Sequence, residues 1–173
     1  FSPWLYYEAL RQRQQCRYGA FLDWGDHQVL SLSPELFFDW NRSTGTITTR
    51  PMKGTAARGA TSEADAAQAH ALQTSAKERA ENVMIVDLLR NDLGRIAQTG
   101  SVHVPQLLRT EPYPTLWQMT STVQATTRAD TTFTQVLQAL FPCGSITGAP
   151  KHMAMRKIAA FEPQPRGVYC GAV

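Results

Sequence analysis

Little in this chain is extreme, and each shortage removes a class of protein. Cysteine is scarce: Cys16, Cys143 and Cys170 form an odd set, with no C-x-x-C pair and no ligand-like spacing to the four histidines. That pattern argues against a disulfide framework or a zinc site and for a reduced, cytoplasmic protein. No apolar run approaches the roughly 20 residues of a membrane span, and the opening residues lack the form of a signal peptide. Excess charge is small as well. Seventeen Lys plus Arg against 14 Asp plus Glu leave a net +3, and the cations are scattered rather than interleaved with aromatics. Nucleic acid is therefore not indicated, while an anionic small molecule is accommodated. Repeats and low-complexity stretches are missing too. What remains is 173 residues, 43% of them hydrophobic, enough to bury a real core as one domain or a large piece of one. Because the chain opens on Phe1 and closes on Tyr169-Cys170-Gly171-Ala172-Val173, which reads as a strand cut in mid-run, a piece of a longer polypeptide, truncated at both ends, is expected.

The stretch Thr49-Arg50-Pro51-Met52-Lys53-Gly54-Thr55 is the one that asks for a chemical explanation. Gly45 to Thr49 alternates as a strand does, and Pro51 then removes a backbone donor, so Lys53 is expected just past a strand end. Arg50 and Arg58 flank it, Gly54 permits close backbone approach, and two neighbouring cations disfavour the ammonium form of a half-buried lysine. A neutral amine is a nucleophile. The plain alternative is a solvated loop with three scattered cations, and the segment alone does not decide.

Trp4 to Arg13 is expected to be a short helix. Tyr18 to Asp23 and Gln28 to Ser33 read as a hairpin around Trp24-Gly25-Asp26-His27. Ser33-Pro34-Glu35 interrupts the second strand before Leu36 to Trp40, giving an antiparallel meander of about four strands that ends at Lys53. Glu35 faces either inward or, as a strand-edge charge, into water. From Ser62 the pattern turns helical. Ser75-Ala76-Lys77-Glu78 has the form of a capping box and opens an apolar helix that stops near Gly94. Glu78 and Glu81 share one face of it, an arrangement for a divalent ion such as Mg²⁺ or else an exposed turn paired with Lys77 and Arg79. Asp87, Arg90, Asn91, Asp92 and Arg95 read as a structural ion-pair network. Ser101 to Val104 is a strand closed by Pro105, Thr115 to Gln124 a longer one, and Asp130 or Thr131 caps the next helix. Phe141 to Lys151 is a Gly- and hydroxyl-rich turn running into a helix, with donors suited to an anion. After Arg166-Gly167 a last strand is expected.

Four segments, taken in order, resemble the chorismate-utilising enzymes: Ser33-Pro34-Glu35; Thr49 to Thr55; Lys77-Glu78-Arg79-Ala80-Glu81-Asn82 with Val86 to Arg95; and Cys143 to Lys151 with Arg166 to Ala172. The resemblance implies an α+β fold with two packed, largely antiparallel sheets and surrounding helices, the whole chain being part of a single chorismate-binding catalytic domain. It also implies Mg²⁺ on the substrate's ring carboxylate. The Pro-x-Lys-Gly-Thr form is similar to the branch that makes 4-amino-4-deoxychorismate for para-aminobenzoate and folate, using ammonia from a glutamine amidotransferase subunit or domain; anthranilate synthases are expected to carry Ala in place of Lys53. By motif position Lys53 is then the nucleophile and Glu35 the acid. Glu81 ligates the metal directly and Glu78 through water, while Ser145, Tyr169, Gly171 and Ala172 touch substrate. Gln118 stands where many relatives have a histidine linked to pyruvate elimination, which favours retention of the enolpyruvyl group. Further metal ligands, an arginine, a lysine and a glycine-rich segment are implied beyond Val173, so the isolated fragment is expected to be inactive. Anthranilate synthase or another chorismate-utilising enzyme, and a truncated non-catalytic module of this fold, are the alternatives.

Overall fold

The structure is a computed structural model that describes residues 1–15, 17–169 and 171–173. It divides into two compact units, one made of Phe1–Leu36 with Gly171–Val173 and the other of residues 37–169. The first begins with helix α1 (Pro3–Gln14), where Ser2 Oγ accepts from the Leu5 N–H at 3.4 Å and Pro3 occupies the first turn. The chain leaves the helix through Gln15 in the left-handed region. Strands β1 (Tyr18–Asp23) and β2 (Gln28–Ser33) pair antiparallel, with Tyr18 opposite Ser33 and Asp23 opposite Gln28. Their turn is closed by Asp23 Oδ1, which accepts from the Gly25 N–H at 2.8 Å. Trp4 and Tyr7 of α1 lie against Phe21 of β1 with centroids 5.3 and 5.8 Å apart, and this aromatic contact holds helix to hairpin.

The second unit holds β3 (Leu36–Asn41), β4 (Thr46–Arg50), β5 (Met52–Ala57), α2 (Ser62–Thr74), α3 (Ala76–Gly94), β6 (His103–Pro112), β7 (Leu116–Thr126), α4 (Phe133–Leu140), α5 (Gly144–Thr147) and α6 (Lys151–Phe161). The fold is α+β with antiparallel pairing, as expected. The four-strand meander is not: β1 and β2 form a sheet of their own, while β3 and β4 belong to a five-stranded one. The break is local chemistry. Ser33 Oγ accepts from the Glu35 N–H at 3.2 Å and donates to Glu35 O at 3.0 Å, a side-chain turn around Pro34 that takes those groups out of any ladder.

Strand β7 is the centre of the larger sheet. Gln124 faces both Thr48 and His103, Thr120 both Met52 and Arg109, and Gln118 both Thr55 and Glu111, so β4 and β5 line one edge and β6 the other. Pairing carries through Pro51 without a slip, from Thr49 opposite Val123 to Met52 opposite Thr120, because the proline lacks only its N–H and its carbonyl still accepts from Ser121 N at 3.1 Å. The register then shifts between Met52 and Thr55. Lys53 therefore lies in a bulge inside a strand, not past a strand end. In the same way β6 runs through Pro105 to Pro112 instead of stopping at Val104, with two register shifts and Leu108 in the left-handed region. As an edge strand it tolerates both proline and bulges.

Helix α3 packs its buried stripe of Asn82, Ile85, Val86, Leu89 and Leu93 against this sheet, and Ile47, Val123, Val136 and Leu140 complete the core. Each of the large apolar side chains among them contributes roughly 1.5–3 kcal/mol by leaving water. Ser75 caps α3 as the sequence indicates, while the caps of α2 and α4 are displaced by one or two residues. Thr61 rather than Ser62 opens α2, and Thr132, in a capping box with Gln135, opens α4 in place of Asp130 or Thr131. Among the described residues the last strand is not seen: 167–169 is a turn and 171–173 is irregular, and Cys170 between them lies outside the described residues. A strand needs a neighbour to take its hydrogen bonds. Among the described residues no helix is long and apolar enough to cross a membrane.

Candidate functional site

The bulge after Met52 is where three motifs of the second unit meet. Lys53 is half-buried and its Nζ donates to Ser145 O at 3.0 Å, across 92 residues of chain. Gly54 has φ +96°, and a Cβ there would approach Glu78 Cβ to 3.1 Å, Glu78 Oε2 to 3.2 Å and Leu72 Cδ1 to 3.2 Å. Only glycine takes that backbone and that closeness without strain. The N-terminal turns of α3 therefore lie directly over the strand that presents the amine. On the far side, Gly144 of α5 sits against Leu88 of α3, where a Cβ would be 2.3 Å from Leu88 Cδ2, so α5 offers the Ser145 carbonyl from a closely seated turn.

The cations that flank Lys53 in sequence do not act on it as isolated charges. Arg50 is bound by both carboxylate oxygens of Glu111, and Arg58 by both of Asp65, at 2.7 and 2.5 Å, while also covering the Trp117 ring at 4.8 Å. Each guanidinium has its own counter-charge, which replaces the expected two-cation pressure on the amine. Asp65 in turn accepts from Trp117 Nε1 at 2.9 Å and Gly59 N at 2.8 Å, and the Arg58 guanidinium holds its carboxyl well below the usual carboxylate range.

Glu78 and Glu81 point to one place. Lys77 Nζ stands 3.6 Å from Glu78 Oε1 and 3.7 Å from Glu81 Oε1, with the two carboxylate side chains 24% and 45% exposed. Ser75 Oγ accepts from the Glu78 N–H at 3.4 Å, as the capping box requires, but the Ser75 N–H goes to Leu72 O at 3.3 Å, so the Glu78 side chain is directed to Gly54 and Lys77. Both are hard oxygen donors of the kind a divalent ion takes, and here they converge on the Lys77 ammonium, the pairing that the sequence offers as the alternative to Mg²⁺. Among the described residues no group of three or more His, Cys, Asp or Glu side chains gathers.

Ser145 and Tyr169 both line a cavity of about 560 Å³, together with Ile146, Glu162 and Arg166. Arg166 donates to Glu162 at 2.7 Å and holds that carboxyl below its ordinary range. Glu35 is half-buried and, with the exposed Gly171 and Ala172, belongs to the first unit, whereas Lys53, Glu78, Glu81, Ser145 and Tyr169 belong to the second. Gln118 accepts from Thr55 Oγ1 at 3.0 Å. Within the Gly- and hydroxyl-rich turn, Cys143 O takes the N–H groups of Ile146 and Thr147 and Gly144 O that of Gly148, while Lys151 Nζ is buried on Asp92 Oδ2 at 2.6 Å. Asp92 and, with Arg90, Asp87 are thus structural ion pairs, as expected. Cys16 and Cys170, part of the reduced-thiol reading, lie outside the described residues.

Sequence reading passes over Asn82 and Ser121, both fully buried. The signal for the first was available: Asn82 stands in the heptad-like stripe with Ile85, Val86, Leu89 and Leu93, where a leucine is expected. Ser121, the one serine of β7, stands between Thr120 and Thr122 and shares their alternating strand pattern.

The lysine-bearing bulge under an acidic helix, on an antiparallel sheet, defines a class. The chain belongs to the chorismate binding enzyme family, whose model matches residues 1–173. It is 48% identical over 172 residues to an aminodeoxychorismate synthase of Streptomyces griseus and 45% identical over 172 residues to aminodeoxychorismate synthase component 1 of Escherichia coli strain K12, matching 99% of this chain in each case. The chain spans 24% and 38% of the length of those two relatives. Among solved structures, anthranilate synthase component I from Streptococcus pneumoniae superposes with a TM-score of 0.88 at 37% identity, over 99% of this chain and 37% of that one. The menaquinone-specific isochorismate synthase of Escherichia coli, at 20% identity and a TM-score of 0.78, covers 92% of this chain and 36% of its own and shares the fold.

Proposed function

We propose that the gene product carrying this chain is an aminodeoxychorismate synthase component, a cytoplasmic enzyme that converts chorismate and ammonia to 4-amino-4-deoxychorismate. The observation that carries the reading is Lys53 itself: an amine in a strand bulge beneath Glu78, in a chain 40–48% identical to curated aminodeoxychorismate synthases. In this reading Lys53 Nζ, as the neutral amine, attacks ring C2; both ring double bonds shift by one bond, and the C4 hydroxyl leaves as water after taking a proton from Glu35. Ammonia then attacks C4, both double bonds shift back, the C2–N bond breaks to return the lysine amine, and the new C4 ammonium gives a proton to the Glu35 carboxylate. Hydroxide is a poor leaving group, which is why an acid is needed. Glu81, and Glu78 through water, would hold Mg²⁺, which supplies charge to bind the substrate's ring carboxylate. Ser145, Tyr169, Gly171 and Ala172 line the substrate side, and a glutamine amidotransferase subunit or domain delivers ammonia. A second reading, anthranilate synthase, draws support from the 37% identity to the pneumococcal enzyme; Lys53 argues against it. A non-catalytic module is the third.

The test uses the full-length gene product. Lys53→Ala is expected to abolish aminodeoxychorismate formation while leaving melting temperature and chorismate binding in place, and Lys53→Arg is expected not to rescue, because a guanidinium stays protonated. Mass spectrometry of the unmutated protein with chorismate and Mg²⁺ but no ammonia should show an adduct on the Lys53 peptide. In Glu81→Gln the adduct should require more Mg²⁺. No adduct combined with an active arginine variant rules out the nucleophile, and anthranilate as product would select the second reading.

A further inference from the structure

A bulge leaves backbone groups without a ladder partner, and the larger sheet has bulges on both edges of β7. On one edge the register slips between Met52 and Thr55, around Lys53; on the other it slips between Gln106 and Arg109, around Leu108. The Leu108 N–H is taken by Ser121 Oγ at 3.0 Å, Ser121 Oγ donates to Asn82 Oδ1 at 2.6 Å, and Asn82 Nδ2 donates to Lys53 O at 3.3 Å and to Met119 O at 3.4 Å. Both side chains are completely buried. A hydrogen-bonded chain thus runs from one bulge to the other through the middle of the molecule. All three directions of the Asn82 amide are used, on a helix stripe that otherwise holds aliphatic side chains, where an amide is tolerated only when fully partnered.

We propose that Asn82 is the positioning residue for Lys53, with Ser121 fixing the orientation of its amide; the role rests on the reading of Lys53 as the reacting amine. The physical argument is one of leverage. The lysine side chain is long and, among the described residues, its amine is held at its tip by the Ser145 carbonyl, so where the amine lies depends on where its own backbone is held. The strand cannot hold it, because the ladder lapses at that residue. Asn82 does so from α3, one turn beyond Glu78, whose carboxylate closes over Gly54. A displacement of about 1 Å at a reacting atom is enough to cost on the order of 100-fold in rate.

In the full-length gene product, Asn82→Asp keeps the volume and the acceptor for Ser121 and removes both donors. It is expected to lower kcat about 30- to 100-fold with KM within about threefold of the unmutated value, since the substrate contacts are elsewhere. It should also change the rate of reductive methylation of Lys53, measured by peptide mass spectrometry against the exposed Lys77, by at least about threefold. Ser121→Ala should lower kcat by about three- to tenfold in the same pattern. A purely structural amide would lower the melting temperature and leave kcat and the methylation ratio unmoved, and that result overturns the proposal. Should the aspartate variant not fold, Ser121→Ala decides alone: unchanged kcat and unchanged methylation overturn it. If Lys53→Ala stays fully active, the reading of function fails, yet the methylation ratio still reports whether Asn82 positions the amine.

Discussion

At the scale of single residues, Asp65 shows how much one carboxylate can organise. It binds both arms of Arg58, the Trp117 indole and the Gly59 amide, joining the end of β5 to α2 and β7. Its folded-state pKa is depressed, so by linkage its contribution to stability is complete above the unfolded value near 4 and is lost as pH falls through that range toward the folded one. Glu63 and Glu162 are shifted the same way. The melting temperature is therefore expected to be level above about pH 5 and to fall steadily below about pH 4. Asp65→Asn should lower it at pH 7 and flatten the acid limb, which thermal melts at a series of pH values would show; a limb as steep as in the unmutated protein would mean that other groups control it.

At the scale of elements, the buried pair Lys151–Asp92 ties the start of α6 to the end of α3. Lys151 Nζ also donates to Leu140 O at 3.1 Å, satisfying a carbonyl at the end of α4, and the pair's side chains are 10% and 4% exposed. Burial pushes the Asp92 carboxyl up while Lys151 draws it down. Removing one partner strands a charge: Lys151→Met is expected to cost about 3–5 kcal/mol, and Lys151→Met with Asp92→Leu to recover most of it. Denaturant unfolding of the single and double variants measures the difference. Much of this level was legible in the sequence. The hairpin, the 19-residue α3 with its Ser75 cap and the long strand near Thr115 follow from period and cap chemistry, which act between near neighbours. The failures share a cause. Pro51 and Pro105 read as strand ends because sequence shows the missing donor and hides the partner strand that bridges it. The pairing of Arg50 with Glu111, 61 residues away, is likewise invisible until the sheet exists, so the flanking cations seemed to bear on Lys53. Of the candidate site, the sequence motifs name Lys53, Glu78 and Ser145, which the fold brings together, whereas Asn82 shows only as an amide in an apolar stripe, and its partners, like those of Ser121, depend on two bulges far apart in sequence.

At the scale of the whole molecule, the sheet is organised from its middle outward. Strand β7 is paired on both edges and covered by α3, while in the first unit β1 and β2 pair with each other and lie against α1. In native-state hydrogen exchange the amides of β7 should be the slowest, with the β1–β2 hairpin opening at much lower cost. Equal protection in both would mean that the two units unfold as one. The bulge at Lys53 has a consequence for inheritance. The amine takes no part in the aliphatic core formed by Ile47, Ile85, Leu89, Val123 and Leu140, and its neighbours Arg50 and Arg58 balance their charges without it. Selection for a folded chain therefore has almost no purchase on this position. A lineage can exchange the lysine for another residue and keep the architecture intact; on the proposed reading of Lys53 as the reacting amine, such a scaffold is free to drift between chemistries at one site.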